Sequence, residues 1–317
     1  MLISLLLVLA GFVALIFGAN WLVDGASALA KKYRVSDLAI GLTIVAFGTS
    51  APEMVVNLVA STKGLSDIVL GNVIGSNNFN LFIILGISGL LYPITVQSST
   101  AWREIPLSIV VLLVLIALAN NFFVGVPALS RIDGVILLTL FLGFLFYVFK
   151  QMKAENAEAS KPVERALWKI VLFIILGLGG LVAGGQLVVN NAVKIASLLG
   201  VSEKIIGLTI VAAGTSLPEL TTSIVAALKR NSDIAIGNVI GSNIFNVLLV
   251  LAGSLLINPI PFNPSFNTDL IIMTSGSIFL FVAMLTGKRK KLDRWEAALL
   301  LVLFIAYTVF LIKKEIG

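Results

Sequence analysis

Apolar residues run along this chain in blocks of about twenty, separated by short polar turns. A block of that length is what an α-helix needs to cross the hydrocarbon of a bilayer. The alternating pattern of a membrane β-barrel is absent. The blocks predict an all-α integral membrane protein with ten spans, at 2–30, 36–62, 67–91, 103–120, 132–149, 166–198, 203–228, 233–256, 268–286 and 294–312. The connection from Lys150 to Arg165 is longer than the other turns and mixed in charge. It makes 151–165 a linker between a first five-helix half, 1–150, and a second, 166–317. The apolar run from Leu2 to Gly18 has no basic residue before it, the first cation being Lys31, so it reads as a first span and not as a signal peptide. The turns leave no room for a soluble regulatory domain.

Two of these blocks are copies of two others. Residues 41–53, GLTIVAFGTSAPE, recur at 207–219 as GLTIVAAGTSLPE, and 71–80, GNVIGSNNFN, recur at 237–246 as GNVIGSNIFN, all offset by 166 residues. Residues 35–80 and 201–246 agree without a gap at 29 of 46 positions, so the chain is a duplication with repeat motifs at 41–80 and 207–246. Five is an odd number, and the second half therefore enters the bilayer from the opposite side. Inverted repeats related by a pseudo-two-fold axis in the membrane plane are the architecture of many secondary transporters.

Composition narrows the chemistry. Charged residues are 12% of the chain and mean hydropathy is +1.07, against about 25% charged in soluble domains. With no Cys and no His there is no thiolate, no imidazole ligand and no histidine proton relay. The net charge of +6 does not point to nucleic acid, because its cations sit in the turns. Sixteen follow the odd-numbered spans and six lie on the other side, termini included. That bias predicts a multi-pass protein of the cell membrane with both termini outside and the 151–165 linker in the cytoplasm. Trp21, Trp102, Trp168 and Trp295 fall near span ends and read as interfacial anchors.

Glu53 and Glu219 stand out because each lies deep in an apolar span. A carboxylate at that depth costs a few kcal/mol and is expected to face the protein interior. Beside it, Gly48-Thr-Ser-Ala-Pro52 and Gly214-Thr-Ser-Leu-Pro218 should break the helix. Backbone groups freed there are tolerated only where they are buried or line a cavity, and the half-helix ends can hold ions. Ser50 and Glu53, like Ser216 and Glu219, also match a capping box, which could coexist with ion binding. Ser76 and Asn80 share a helix face, as do Ser242 and Asn246. The glycines at 71, 75, 237 and 241 serve equally well for close helix packing, and the serines and asparagines for interhelical hydrogen bonds. With Thr49, Ser50, Thr215 and Ser216 these groups form an all-oxygen inventory, which suits calcium or sodium better than magnesium or a softer metal. Two carboxylates neutralise one divalent ion. Asp24 has Asn190 as its counterpart and reads as an interfacial group, whereas Asp67 and Asp233 sit where helix caps are expected.

At these motifs the sequence resembles the sodium/calcium exchanger family of the cation/calcium exchanger superfamily, in its prokaryotic form. The Gly-Thr-Ser-x-Pro-Glu and Gly-Ser-Asn-x-Phe-Asn patterns stand at 48–53, 75–80, 214–219 and 241–246. The resemblance covers nearly the whole chain. It implies alternating access, with broken helices 2/3 and 7/8 around a midplane site where several sodium ions drive one calcium ion the other way. It also implies no cofactor, the ions being cargo. The ligands it implies are Glu53, Glu219, Asn80, Asn246, Thr49, Ser50, Ser76, Thr215, Ser216 and Ser242, with the carbonyls of Ala46 and Ala212. Asn at 246, where potassium-dependent members carry Asp, resembles the potassium-independent type.

Three rival readings compete on the residues themselves. A calcium/proton antiporter on the same fold is the first, since two membrane carboxylates bind protons too. The acidic motif of such antiporters typically resembles Gly-Asn-x-x-Glu, which differs here. An intramembrane hydrolase would need a nucleophile with its base or two catalytic aspartates, and the chain has neither His nor a Gly-x-Ser-x-Gly motif. It is therefore not expected to be an enzyme. A channel suits broken midplane helices less well than alternating access does.

Overall fold

The fold, taken from a computed structural model, is described for residues 1–121, 128–154, 166–199, 212–286 and 290–316. Residues 155–165 of the expected linker and 203–211 of the expected seventh span lie outside that set. The helices are α1 (Leu2–Tyr33), α2 (Asp37–Thr49), α3 (Ala51–Thr62), α4 (Ser66–Leu91), α5 (Thr100–Asn120), α6 (Arg131–Ala154), α7 (Leu167–Leu198), α8 (Ala212–Thr215), α9 (Leu217–Leu228), α10 (Ser232–Ile257), α11 (Phe266–Ala283) and α12 (Arg294–Ile316). Among the described residues seven helices are long and apolar enough to cross a membrane, and eight if the bent pair α2–α3 counts as one span. Their outward faces are apolar: α1 exposes Leu5, Leu9, Phe12 and Ile16, as a lipid-facing helix should.

Two apolar clusters organise the bundle. The larger joins α4, α5, α6, α10, α11 and α12 with Leu38, Leu42 and Ala46 of α2. The smaller holds α1 against α7 and takes in Ile40, Val45, Ala226 and Ile234. The two long helices of the smaller cluster meet backbone to backbone. A Cβ built on Gly18 would stand 2.8 Å from the Gly177 carbonyl oxygen, and one on Gly177 would stand 2.6 Å from Leu22 N. Only glycine permits that approach, and close approach is the main source of helix adhesion in lipid.

The turns are pinned in pairs. Strand β1 (Ile94–Thr95) pairs antiparallel with β4 (Lys291–Leu292), and β2 (Ala128–Leu129) with β3 (Ile260–Pro261). Each pair joins a turn of the first half to one of the second. The expected caps differ from those found. Asp67 and Asp233 lie in the first turns of α4 and α10, where their charge faces the positive helix end. The N-cap positions belong to Leu65, without a side-chain bond, and to Asn231, whose Oδ1 accepts from Ile234 N at 3.1 Å. Asp24 forms a half-exposed ion pair with Lys229 at 2.7 Å, between α1 and the end of α9.

Candidate functional site

The break that the Gly-Thr-Ser-x-Pro-Glu motif dictates is present. Helix α2 ends at Thr49, Ser50 takes φ −80° and ψ 5°, and α3 starts at Ala51 with Pro52 in its first turn, the two axes being bent by 48°. Proline supplies no donor and its ring clashes with the preceding turn, so the helix cannot run straight through. Ser216 repeats the geometry before α9, with φ −89°, ψ 7° and Pro218 following. The third and eighth spans behave differently from the expected broken helices. Helices α4 and α10 continue without interruption and widen to π geometry at Phe79–Ile84 and Asn246–Leu251. Such widened turns are frequent at functional sites, and here they begin at or beside Asn80 and Asn246.

The capping-box alternative does not hold. Neither Ser50 nor Ser216 makes a side-chain cap. Each hydroxyl instead reaches across to the other copy: Ser50 Oγ donates to Glu219 Oε1 at 3.0 Å and Ser216 Oγ donates to Glu53 Oε1 at 3.0 Å. Both carboxylates are buried, at 1% exposure, and close enough to repel each other. The Ser242 hydroxyl lies beside Glu219. Helix α3 packs on the widened turn of α10, and α9 on that of α4, so the glutamate-bearing helix of each copy meets the asparagine-bearing turn of the other.

Six of the buried polar atoms that the protein leaves unbonded fall on the duplicated motifs. Glu53 Oε2, Glu219 Oε2, Ser76 Oγ, Ser242 Oγ, Asn80 Oδ1 and Asn246 Oδ1 are all buried and have no hydrogen-bond partner in the protein. Buried polar atoms are normally satisfied, and six orphaned oxygens on three residue pairs related by the duplication match the donor set of a hard cation. The two threonines lie against the carboxylates as well, Thr49 beside Glu219 and Thr215 beside Glu53. Thr49 Oγ1 shares its proton between Asn238 Oδ1 at 3.0 Å and Ala46 O at 3.3 Å, while Ala46 O also accepts from Ser50 N at 3.0 Å. Thr215 Oγ1 lies 3.5 Å from Asn72 Oδ1. Ala212 opens the short helix α8. Thus the carbonyl of Ala46 is already engaged, and each threonine touches an asparagine and the glutamate of the other copy.

Four asparagines escaped the sequence reading. Asn77 and Asn243 bond to the backbone of one another and to the amides of Asn246 and Asn80. Asn238 donates to Glu219 O at 3.2 Å and to Ser223 Oγ at 2.9 Å, and Asn72 is its counterpart. The signal was available, since all four are identical in both copies. Other acids are committed elsewhere: the buried Glu104 accepts from Tyr147, the buried Glu296 from Thr286 and from Asp293 N, and the half-buried Asp269 from Tyr307. Among the described residues no group of three or more Asp, Glu, His or Cys comes together, so the candidate site carries two carboxylates and otherwise neutral oxygens.

Comparison with known proteins gives a consistent picture. The family model described as sodium/calcium exchanger protein matches residues 3–150 and 169–313. The antiporter candidate CaxA of Alkalimonas amylolytica is 39% identical, over 99% of this chain and 100% of its own length. The sodium/calcium exchanger MaX1 of Methanosarcina acetivorans is 30% identical over 98% of both chains. A solved structure of the sodium-calcium exchanger NCX_Mj, soaked with zero Na+ and Ca2+, superposes with a TM-score of 0.85 at 32% identity, over 98% of this chain and 99% of that one.

Proposed function

Because the chain belongs to the sodium/calcium exchanger family, we propose that it is a secondary antiporter exchanging Na+ for Ca2+ by alternating access, without a potassium requirement and without a cofactor. Family and fold are those of multi-pass membrane transporters and not of enzymes. The observation that carries the reading is the set of six buried oxygens, three from each copy, that no protein group satisfies.

In this reading Glu53 and Glu219 supply two negative charges that balance one calcium ion, and Ser76, Ser242, Asn80 and Asn246 complete a flexible oxygen shell. Neutralisation is essential in a dry site, where an unbalanced charge is costly to bury. Sodium uses the same carboxylates together with the hydroxyls of Thr49, Ser50, Thr215 and Ser216 and, once the breaks rearrange, the carbonyls of Ala46 and Ala212. Shared ligands make the two occupancies mutually exclusive. Exclusive occupancy, with passage between inward and outward forms only when charge is balanced, produces exchange. Each glutamate is held by a serine of the opposite break, which couples the two breaks to one bound state.

The architecture we propose is ten spans in two inverted five-helix repeats, 1–150 and 166–317, with a cytoplasmic linker at 151–165 and both termini outside the cell membrane. The strand pairs support it. The turns bearing β1 and β4 both fall on the expected cytoplasmic side, and those bearing β2 and β3 on the expected outer side. Proton coupling is the second reading, since the relatives include an antiporter candidate whose name specifies no coupling ion. Calcium uptake into proteoliposomes separates the two. Uptake driven by an outward sodium gradient at equal pH supports sodium exchange. Uptake that follows a pH gradient and ignores sodium overturns it.

A further inference from the structure

Nothing in the donor set explains why two asparagine side chains should present oxygen, and not their NH2 groups, toward a cation. The carboxamide carries a donor and an acceptor of nearly the same shape, and half a turn about its last torsion exchanges them. We propose that Asn77 and Asn243 are positioning residues that fix the amides of Asn80 and Asn246 oxygen-inward, an inference that rests on the exchange reading above.

Backbone carbonyls can only accept hydrogen bonds. Asn77 reaches Asn243 O at 3.1 Å, so the atom it places there must be Nδ2. Its Oδ1 is thereby turned to Asn246, 3.0 Å away, and can meet only the Nδ2 of that residue. Asn246 Oδ1 is left pointing the other way, buried and unpartnered. The mirror chain runs identically: Asn243 Nδ2 donates to Asn77 O at 3.4 Å, its Oδ1 accepts from Asn80 Nδ2 at 3.0 Å, and Asn80 Oδ1 is left free. Each ligand amide is therefore oriented by a residue of the other copy, through a bond it cannot make in the flipped state. Asn77 is wholly buried and Asn243 nearly so, at 0% and 9% exposure, so water does not substitute readily for either anchor.

Aspartate offers the test, because its two oxygens are equivalent and need no orientation. Calcium binding to the purified full-length protein is measured for Asn77→Ala in two backgrounds, wild type and Asn246→Asp, with the mirror set Asn243→Ala and Asn80→Asp alongside. Loss of an outer-shell group costs about 10- to 100-fold in metal affinity, and that loss is expected in the wild-type background. In the Asp background it should shrink to less than about threefold. Bonded neighbours couple whatever their role, so the melting temperature of the ion-free proteins is read alongside: an orienting role lowers calcium affinity without a matching loss of stability, and affinity losses that track the stability losses overturn the proposal. Equal losses in both backgrounds overturn the proposal. Should Asn77→Ala aggregate on size-exclusion chromatography, Asn77→Ser and the mirror set decide the matter on the same criterion. Wild-type protein that binds no sodium-displaceable calcium would sink the exchange reading itself, a result distinct from equal losses in a protein that does bind.

Discussion

The hydroxyl of Ser50 donates to Glu219 Oε1 at 3.0 Å, and the bond runs between the two copies of the duplicated motif. Its counterpart from Ser216 to Glu53 has the same length. Neither serine serves its own helix start. Both breaks are thus tied to the carboxylate that follows the other one, and a change at either glutamate is transmitted to the opposite break.

Ser50→Ala and Ser216→Ala should therefore weaken calcium transport to a similar extent. A hydrogen bond to a charged group contributes about 1.5–3 kcal/mol, so roughly tenfold or more is expected in apparent affinity. Both variants should still transport, so the loss is read as a shift in the calcium dependence of uptake. Wild-type calcium dependence in both would show that the bonds play no part in transport.

Glu53→Gln and Glu219→Gln should each abolish sodium-driven calcium uptake while leaving the protein folded. Glutamine keeps the shape and can still accept from the serine opposite. The variant removes one charge, and a divalent ion in a desolvated site is then left underneutralised. Breaking a buried charge pair costs about 3–5 kcal/mol, enough to suppress transport by about a hundredfold to several thousandfold. Near-normal flux from either variant, in protein with a wild-type elution profile, would remove the paired carboxylates from the site.

Much of this arrangement was legible in the chain. The duplication, the helix break beside Pro52 and Pro218, and the burial of Glu53 and Glu219 follow from repeated letters and from the cost of a carboxylate in lipid. The reciprocal serine bonds were not legible, because a capping box and a cross-copy bond use the same Ser-x-x-Glu spacing and only the packing of the two copies distinguishes them. The widening of α4 and α10 at Phe79 and Asn246 leaves no mark on hydrophobic periodicity, since apolar residues continue on both sides. Asn77 and Asn243 were visible as repeated letters, but their use depends on which backbone carbonyl each one meets.

Topology can be tested without background labelling, since the chain has no native cysteine. Thr95 and Asn263 are both exposed, in turns expected on opposite faces. Single cysteines at Thr95→Cys and Asn263→Cys should react with a membrane-impermeant maleimide from the cytoplasmic and the outer side respectively. Labelling of both from one side would be incompatible with inverted insertion of the two halves.

Asn246→Asp should change which ions move. Asn246 Oδ1 is buried and free of protein partners, on the widened turn that packs against helix α3. A third carboxylate there leaves a calcium-loaded site with one negative charge too many. Passage across the membrane in that state carries the penalty of an unbalanced buried charge. The excess can be offset by one more monovalent cation or by a proton, and either route adds an ion dependence to transport. The variant should therefore exchange more slowly at neutral pH, and it should speed up when potassium is added or when the pH is lowered. Sodium-driven calcium uptake by both proteins, measured across pH with and without potassium, reads this directly. Identical rates and identical ion dependences would mean that Asn246 does not border the ion path, and that the amide oxygens of the duplicated Gly-Ser-Asn-x-Phe-Asn motif serve packing alone.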